Sequence, residues 1–352
     1  MKRLFIDWQL LLPAVIILIF GLAAIFSISV PLGLNQLIFA FLGLIAFLVF
    51  ASFPYVSHRY LAGIYAVVSL LLLILPFLFG TLTRGSVRWL QLGSLTLQPS
   101  EIIKPFLIII FSHFLSLKTN LFRYSLLLIL PALLIFKQPD LGSTLVIIAI
   151  WLGILIASKL PLRGLIIVAF LGLTAIPLAW HQLQPYQQQR IVSFINPYAD
   201  PKTSGYHSIQ SIIAVGSGGL LGKGLGYGSQ SQLNFLPERH TDFIFASLAE
   251  SMGFFGSISL LLAYFFLLRR LLLISLKAPD QFGRLLGIGI FTLIFFQVIV
   301  NVGMNIGLLP ITGITLPLVS SGGSSLLATT IALGLAHNLS RHTHSKSAII
   351  LS

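Results

Sequence analysis

The sequence predicts an all-α, polytopic integral membrane protein with about ten transmembrane helices, and three observations carry that prediction. Of 352 residues, 57% are hydrophobic and only 8% charged, whereas soluble chains carry about 25% charged residues. The mean hydropathy of +1.00 leaves no room for a sizeable water-soluble domain. Uncharged runs recur along the whole chain, each long enough to cross roughly 30 Å of hydrocarbon at about 1.5 Å per residue. They are continuous rather than alternating, which excludes a transmembrane barrel.

Taken in order, the spans centre near Ile19, Leu44, Leu70, Ile109, Leu130, Ile150, Val168, Leu260, Phe295 and Leu333. The first follows Met1-Lys2-Arg3 without a small-residue cleavage site and reads as a retained helix. With the N-terminus in the cytoplasm, the C-terminus lies there too. Basic residues favour this choice, because the short cytoplasmic loops then hold Lys2, Arg3, Arg59, Lys118, Arg123, Lys159, Arg163, Arg269, Arg270, Lys277, Arg284, Arg341 and Lys346. Arg84, Arg88, Lys104, Lys137, Arg190, Lys202, Lys223 and Arg239 fall outside. Of the acids, only Asp7 and Asp280 are cytoplasmic. The net charge of +13 thus reflects orientation rather than a nucleic-acid partner. With no cysteine, disulfides, thiolate metal sites and Cys nucleophiles are excluded.

The connections between spans carry the chemistry. An outer segment from Gly80 to Ser100 mixes glycine, basic and amphipathic residues. A second, from about Trp180 to Thr241 between the seventh and eighth spans, is polar, glycine-rich and the only stretch large enough for extramembrane structure. A last outer loop runs from Leu308 to Ser325. No linker divides the chain, so residues 1–352 form one membrane domain with a large outer loop at about 180–241.

Several motifs stand against plainer readings. Gly216 to Gly228 suggests a phosphate loop but lacks its spacing and its preceding strand, and reads better as a close-packed re-entrant turn; its backbone N–H groups could still help hold an anionic headgroup. Gly283…Gly287 and Gly303…Gly307 predict close helix packing. Asn338-Leu339-Ser340 matches a glycosylation sequon on the wrong side of the membrane. Glu101 and Lys104 share a helix face at the start of a span, equally suited to a structural ion pair or to substrate binding, and that face must line a protein-walled cavity. Asp140, just after Lys137, reads as a brace for a nearby cation. In Leu236 to Phe245 the charges end at a long apolar run. Glu238 and Arg239 suit a solvated loop end, and Asp242 suits an N-cap, a role compatible with catalysis.

At this cluster the sequence resembles the SEDS family (shape, elongation, division and sporulation proteins), and its elongation branch in particular. The resemblance rests on RGSVRWLQLGSLTLQPSEIIKP, KQPDLGSTLV, the long run from INPYADPKTSGYHS through LPERHTDFIFASLAE, and NVGMNIGLLPITGITLPLVSSGGSS. It covers nearly the whole chain, and the family's ten-helix topology agrees with the span count. It implies a peptidoglycan glycosyltransferase of the bacterial cytoplasmic membrane that polymerises lipid II on the outer face. The family's catalytic aspartate corresponds to Asp242 of His240-Thr241-Asp242-Phe243. Its QPSE…K motif corresponds to Gln98, Pro99, Ser100, Glu101 and Lys104, and its RW pair to Arg88 and Trp89. Thr312 stands where division-type relatives often have a basic residue. Ser321 replaces the usual Tyr beside Ser320, and Ser251 follows Glu250 where a second acid is common. Both departures touch loop packing.

The resemblance and the residues meet on one scheme. The 4-hydroxyl of an acceptor GlcNAc attacks a polyprenyl-pyrophosphate-linked glycan with inversion. Asp242 takes its proton, and Arg88, Lys104 and Arg239 are candidates to neutralise the departing pyrophosphate. Glu101 orients Lys104 or holds a divalent cation, Mg or Mn, and His240 is a supporting hydrogen bonder. No organic cofactor is expected. Expected partners are lipid II, membrane lipids, a class B penicillin-binding protein and other elongation-complex proteins. The rival reading is a lipid II flippase, against which the chain shows neither an inverted repeat nor an acid-rich inner face. A catalytically dead scaffold is the third.

Overall fold

The structure, a computed structural model, describes residues 6–83, 86–92, 95–117, 121–158, 161–197, 205–233 and 235–350. The predicted loop residues Lys118, Lys159 and Lys202 lie outside them. In chain order the elements are α1 (Trp8–Ile28), α2 (Val30–Ser52), α3 (Tyr55–Tyr60), α4 (Ala62–Phe79), β1 (Thr81–Thr83), β2 (Ser86–Leu92), β3 (Leu95–Leu97), α5 (Pro99–Ser116), α6 (Leu121–Lys137) and α7 (Leu141–Ala157). They continue with α8 (Leu162–Gln182), α9 (Pro185–Ile195), α10 (Tyr206–Ser217), α11 (Ser229–Gln232), α12 (Ile244–Leu276), α13 (Gln281–Asn305) and α14 (Gly323–Ile350). Each centre predicted for a span falls inside a different one of the long helices. Six of these, α1, α2, α4, α5, α12 and α13, are long and apolar enough to cross a membrane.

Burial does not follow hydropathy. Helix α5 has the lowest mean hydropathy of those six, 1.2, yet 72% of its span is buried, against 22% for the more apolar α2 and α4. Its neighbours are α4, α13, α14 and α7, so the polar helix sits inside and the apolar ones turn Phe41, Phe79 and their like outward. This is how a chain keeps Glu101 and Lys104 within a membrane: it surrounds them with protein.

The segment predicted as an amphipathic loop is a three-stranded antiparallel meander in the order β1-β2-β3. Leu90 pairs with Leu97 and Gln91 with Thr96. The alternation of SVRWLQL fits strand periodicity. Backbone pairing here satisfies polar groups where the chain leaves α4 and re-enters at α5.

Helix ends define two poles of the bundle. Gln232 Nε2 of α11 bonds the Ser27 carbonyl at the C-terminal end of α1 (2.7 Å), while Arg270 grips Asp7 at its start. Gln36, near the start of α2, donates to the Ser320 carbonyl (3.1 Å). At its far end Asn338 of α14 donates to Ala51 O and accepts from Tyr55 N, both at 2.7 Å. The start of α1 and the later part of α14 therefore share one pole. Asn338, the residue of the sequon, is buried and fully engaged there.

The glycine-rich segment is a close-packed turn, as expected, but two of its central amides are already used. Lys223 N and Gly224 N donate to the Glu250 and Ser251 carbonyls, which removes them as headgroup donors. They meet α12 where it breaks, at Gly253 with φ 67° and ψ −163°. Glu250, fully buried, fixes the turn through Lys223 Nζ (3.0 Å), Gln230 N (2.9 Å) and Ser231 N (2.9 Å). Of the two glycine pairs, Gly283 and Gly287 do bring α13 against Leu339 of α14. Gly303 instead packs on Leu309 within its own turn, and Gly307 takes positive φ at the helix end, so that pair shapes a turn rather than a helix interface.

Gly253→Ala tests this junction. A Cβ there would sit 2.7 Å from the Leu220 carbonyl oxygen on a backbone that L-residues avoid, and we expect a loss of about 2 kcal/mol or more, measured by thermal unfolding of the purified protein.

Candidate active site

Two buried systems meet at the pole opposite the start of α1. The first is built on the N-terminal turns of α5 and α7. Asp140 precedes α7 and its carboxylate accepts from Ser143 N (3.1 Å), capping that helix. Gln98 Nε2 (2.7 Å) and Ser100 Oγ (2.9 Å) donate to its other oxygen. The cation beside it is Arg88 of β2, with Nη1 3.6 Å from Oδ1. Asp140 is thus a brace, but for Arg88 rather than for Lys137, whose side chain is exposed at the end of α6. Burial alone would push the Asp140 carboxyl up; Arg88, the Ser143 N–H and Lys104 together outweigh it and hold it below the usual carboxylate range.

Glu101 and Lys104 form a buried ion pair on α5, and Ser143 Oγ donates to Glu101 (3.3 Å), so one chain of contacts links Arg88, Asp140, Ser143, Glu101 and Lys104. Arg88 Nε, Trp89 Nε1 and Glu101 Oε2 are buried without a hydrogen-bond partner among the described residues, and each is a position that a polar substrate can satisfy.

The second system is the turn from Glu238 to Phe243. Its backbone is pinned residue by residue. The His240 carbonyl accepts from Ser321 N (2.8 Å), and the Thr241 carbonyl accepts from Ser320 Oγ (2.7 Å). The Asp242 carbonyl accepts from Asn301 Nδ2 (3.0 Å) and Asn305 Nδ2 (3.1 Å) of α13. Glu238 takes positive φ, 47°, as does Leu318 in the facing loop, 65°; non-glycine residues held there cluster at functional sites.

Asp242 is not the N-cap of α12. That position falls to Phe243, and Asn305 Oδ1 receives the orphan N–H of Ala246 (3.0 Å). A side chain from another helix supplies the capping acceptor.

The half-buried Asp242 faces a second cation that the sequence did not single out. A Cβ built on Gly313 would lie 3.5 Å from Asp242 Oδ2 and 3.8 Å from Arg190 Nη1, so both side chains converge on a loop position that lacks a side chain. Arg190 lies on α9, and its guanidinium also stands 5.7 Å from the Tyr186 ring centre. Nearby, burial and then the Arg190 charge push the His207 imidazole below its usual range, with Glu238 pulling the other way. Glu238 also accepts from Thr241 Oγ1 (3.0 Å), and Arg239 donates to the Gln232 carbonyl of α11 (3.2 Å). Arg239 is therefore engaged with α11, whereas Arg88 and Lys104 belong to the Asp140 system.

A cavity of about 280 Å³ joins the sheet to this turn, lined by Trp89, Thr96, Gln36, His240, Ser321 and Gly322 among others. The first system also meets the segment that pins this turn, since Gln98 N donates to Ser324 Oγ (2.8 Å) and a Cβ on Gly142 would lie 2.8 Å from the Thr312 carbonyl. Among the described residues no three His, Asp or Glu side chains converge. The donors do not form a preformed cage for the expected divalent cation.

The fold and site define a polytopic membrane protein with its polar machinery gathered at one pole. Residues 7–345 match the model of the FtsW/RodA/SpoVE cell cycle protein family, and the chain belongs to that family. It is 41% identical over 313 residues to peptidoglycan glycosyltransferase MrdB of Escherichia coli (strain K12), covering 87% of this chain and 84% of that one. It is 36% identical over 349 residues to stage V sporulation protein E of Bacillus subtilis, covering 95% of each. Among solved structures it matches a chain of a peptidoglycan synthase complex that coordinates polymerization and crosslinking, with a TM-score of 0.82, 31% identity and 97% and 99% coverage. It also matches the rod shape determining protein RodA of Thermus thermophilus, with a TM-score of 0.74, 29% identity and 98% and 99% coverage.

Asp140→Asn leaves Arg88 facing a neutral amide in a buried site, and we expect a stability loss of about 3 kcal/mol. The pH dependence has a definite sign. A carboxyl held below its ordinary range stabilises the fold above about pH 4, and that contribution is lost as pH falls through its folded-state value. Thermal unfolding across an acid series should show this limb in the wild type and a flatter one in Asp140→Asn.

Proposed function

We propose that this chain is a peptidoglycan glycosyltransferase of cell elongation, polymerising lipid II at the outer face of the bacterial cytoplasmic membrane through ten transmembrane helices. The family and its named glycosyltransferase members support the reaction class. The positive-inside bias of the loops supports the orientation, with the pole bearing Asp242 outward. The solved synthase complex supports a crosslinking partner, which we assign as a class B penicillin-binding protein.

In this proposal Asp242 is the general base, and one observation carries it. Its turn is pinned at three consecutive carbonyls, while Asp242 itself stays half-exposed and the adjoining His240 and Thr241 line the cavity. An attacking sugar hydroxyl has a high pKa and needs a positioned acceptor as the new bond forms. Trp89 and His240 line the space in which a sugar ring can lie. As the C–O bond to pyrophosphate breaks, negative charge grows on the leaving oxygen and needs fixed cations. Arg88 and Lys104 serve there, with Glu101 and Asp140 holding them in place. Arg190 joins this set in preference to Arg239, because it shares the Gly313 position with the base.

Glycan synthesis from fluorescent lipid II by the purified protein tests the assignment. Asp242→Asn preserves the size of the side chain and the backbone anchors, and should lower the rate by on the order of 10²–10⁴ at saturating substrate. Arg190→Ala should impair turnover more than Arg239→Ala does. Near-wild-type polymer from Asp242→Asn would overturn the base, and equal effects of the two arginines would overturn the choice between them.

A further inference from the structure

At the pole opposite the active site a groove of about 380 Å³ runs between the first turns of α1 and the second half of α12. Its floor is apolar, formed by Leu12, Ile16 and Phe266, and its mouth carries Trp8, Arg269 and Arg270. The charges at the mouth are not balanced. Asp7 is 2% exposed and takes Arg270 in a two-pronged pair, Nε to Oδ1 at 3.1 Å and Nη2 to Oδ2 at 2.7 Å. That pair is neutral, and it fixes the backbone of both helices beside the groove. Arg269 adds a further positive charge and is exposed.

The exposed surface is equally one-sided. Trp8 is 66% exposed, Leu12 58% and Phe266 52%, and on two helices apolar enough to span a membrane this surface is available to lipid. An indole at the mouth, a guanidinium next to it and a hydrocarbon-lined floor below match the polarity profile of a bilayer boundary. The groove measures about 380 Å³. It has the size of a headgroup with the first carbons of its chains.

We propose that this groove is a binding site for an anionic glycerophospholipid. Its phosphate is held by Arg269 beside Trp8, and one acyl chain lies over Leu12, Ile16 and Phe266. The site is independent of the glycosyl-transfer reading; only its assignment to the cytoplasmic leaflet rests on the proposed orientation. No covalent step is involved. Because one basic side chain near an anionic membrane surface is worth about a fivefold preference, the site selects headgroup charge rather than binding tightly.

Fluorescence quenching of the full chain in vesicles tests this. Dibrominated phosphatidylglycerol or dibrominated phosphatidylcholine is titrated at increasing mole fraction, and Trp8→Phe identifies the part of the signal that belongs to Trp8 among the four tryptophans. The Trp8 signal should be half-quenched at about fivefold lower mole fraction of the anionic lipid. Arg269→Gln should bring the two lipids together, and Arg269→Lys, which keeps the charge, should restore the preference. Equal quenching by both lipids in the wild type would overturn the proposal, as would an anionic preference that survives Arg269→Gln. Failure of either lipid to quench Trp8 would put a protein segment in the groove and overturn it as well.

Discussion

The site depends on three consecutive backbone carbonyls. His240, Thr241 and Asp242 would each leave a buried acceptor unpaired where the chain passes from the outer segment into α12, and each unpaired acceptor costs about 1–3 kcal/mol. The chain meets this with donors from two distant regions: Ser320 and Ser321 from the loop before α14, and Asn301 with Asn305 from α13. One turn is thereby locked to two further parts of the fold. The side chain of Asp242 inherits a fixed position, while Asn305 supplies the acceptor for the first turn of α12 in place of Asp242.

The same logic governs the charges on α5. A carboxylate and an ammonium cannot face lipid, so the helix bearing Glu101 and Lys104 is the one most enclosed by its neighbours. Enclosure raises the stakes of every contact, because Coulomb interactions strengthen as water is removed and unpaired charge becomes costly. Arg88 reaches Asp140 from a strand, across a junction where a plain loop would have had less reason to hold still. The small sheet therefore belongs to the charge network as much as to the fold.

Much of this was legible in the sequence, for identifiable reasons. Apolar runs report helices directly, and all ten centres fall within long helices. The polar face of α5 announced a protein-walled environment because the alternative is physically excluded. Asp140 was legible as a brace, but the cation it braces was not, since Lys137 is adjacent in sequence and Arg88 is adjacent only in space. Asp242 looked like an N-cap because its position at an apolar boundary is the usual one, and no local rule reveals that Asn305 would take over. Arg190 stood in a run of glutamines with no motif to mark it; its relation to Asp242 exists only once Gly313 lies between them. The strands of the Gly80 to Ser100 segment were hidden for another reason, namely that their alternation spans barely one strand length.

The central claim is that anchoring the turn, rather than merely possessing Asp242, makes the site competent. The most direct measurement is the steady-state rate of Asn305→Ala on lipid II, using monodisperse protein whose thermal unfolding shows that it is folded. Loss of one of the two anchors on the Asp242 carbonyl and of the acceptor for the Ala246 N–H lets the carboxylate drift, and misplacement of about 1 Å can cost on the order of 10²-fold. The account predicts a kcat reduced roughly tenfold to a hundredfold with KM little changed, because Asn305 touches the turn and not the cavity. A folded Asn305→Ala protein with wild-type kcat would contradict it.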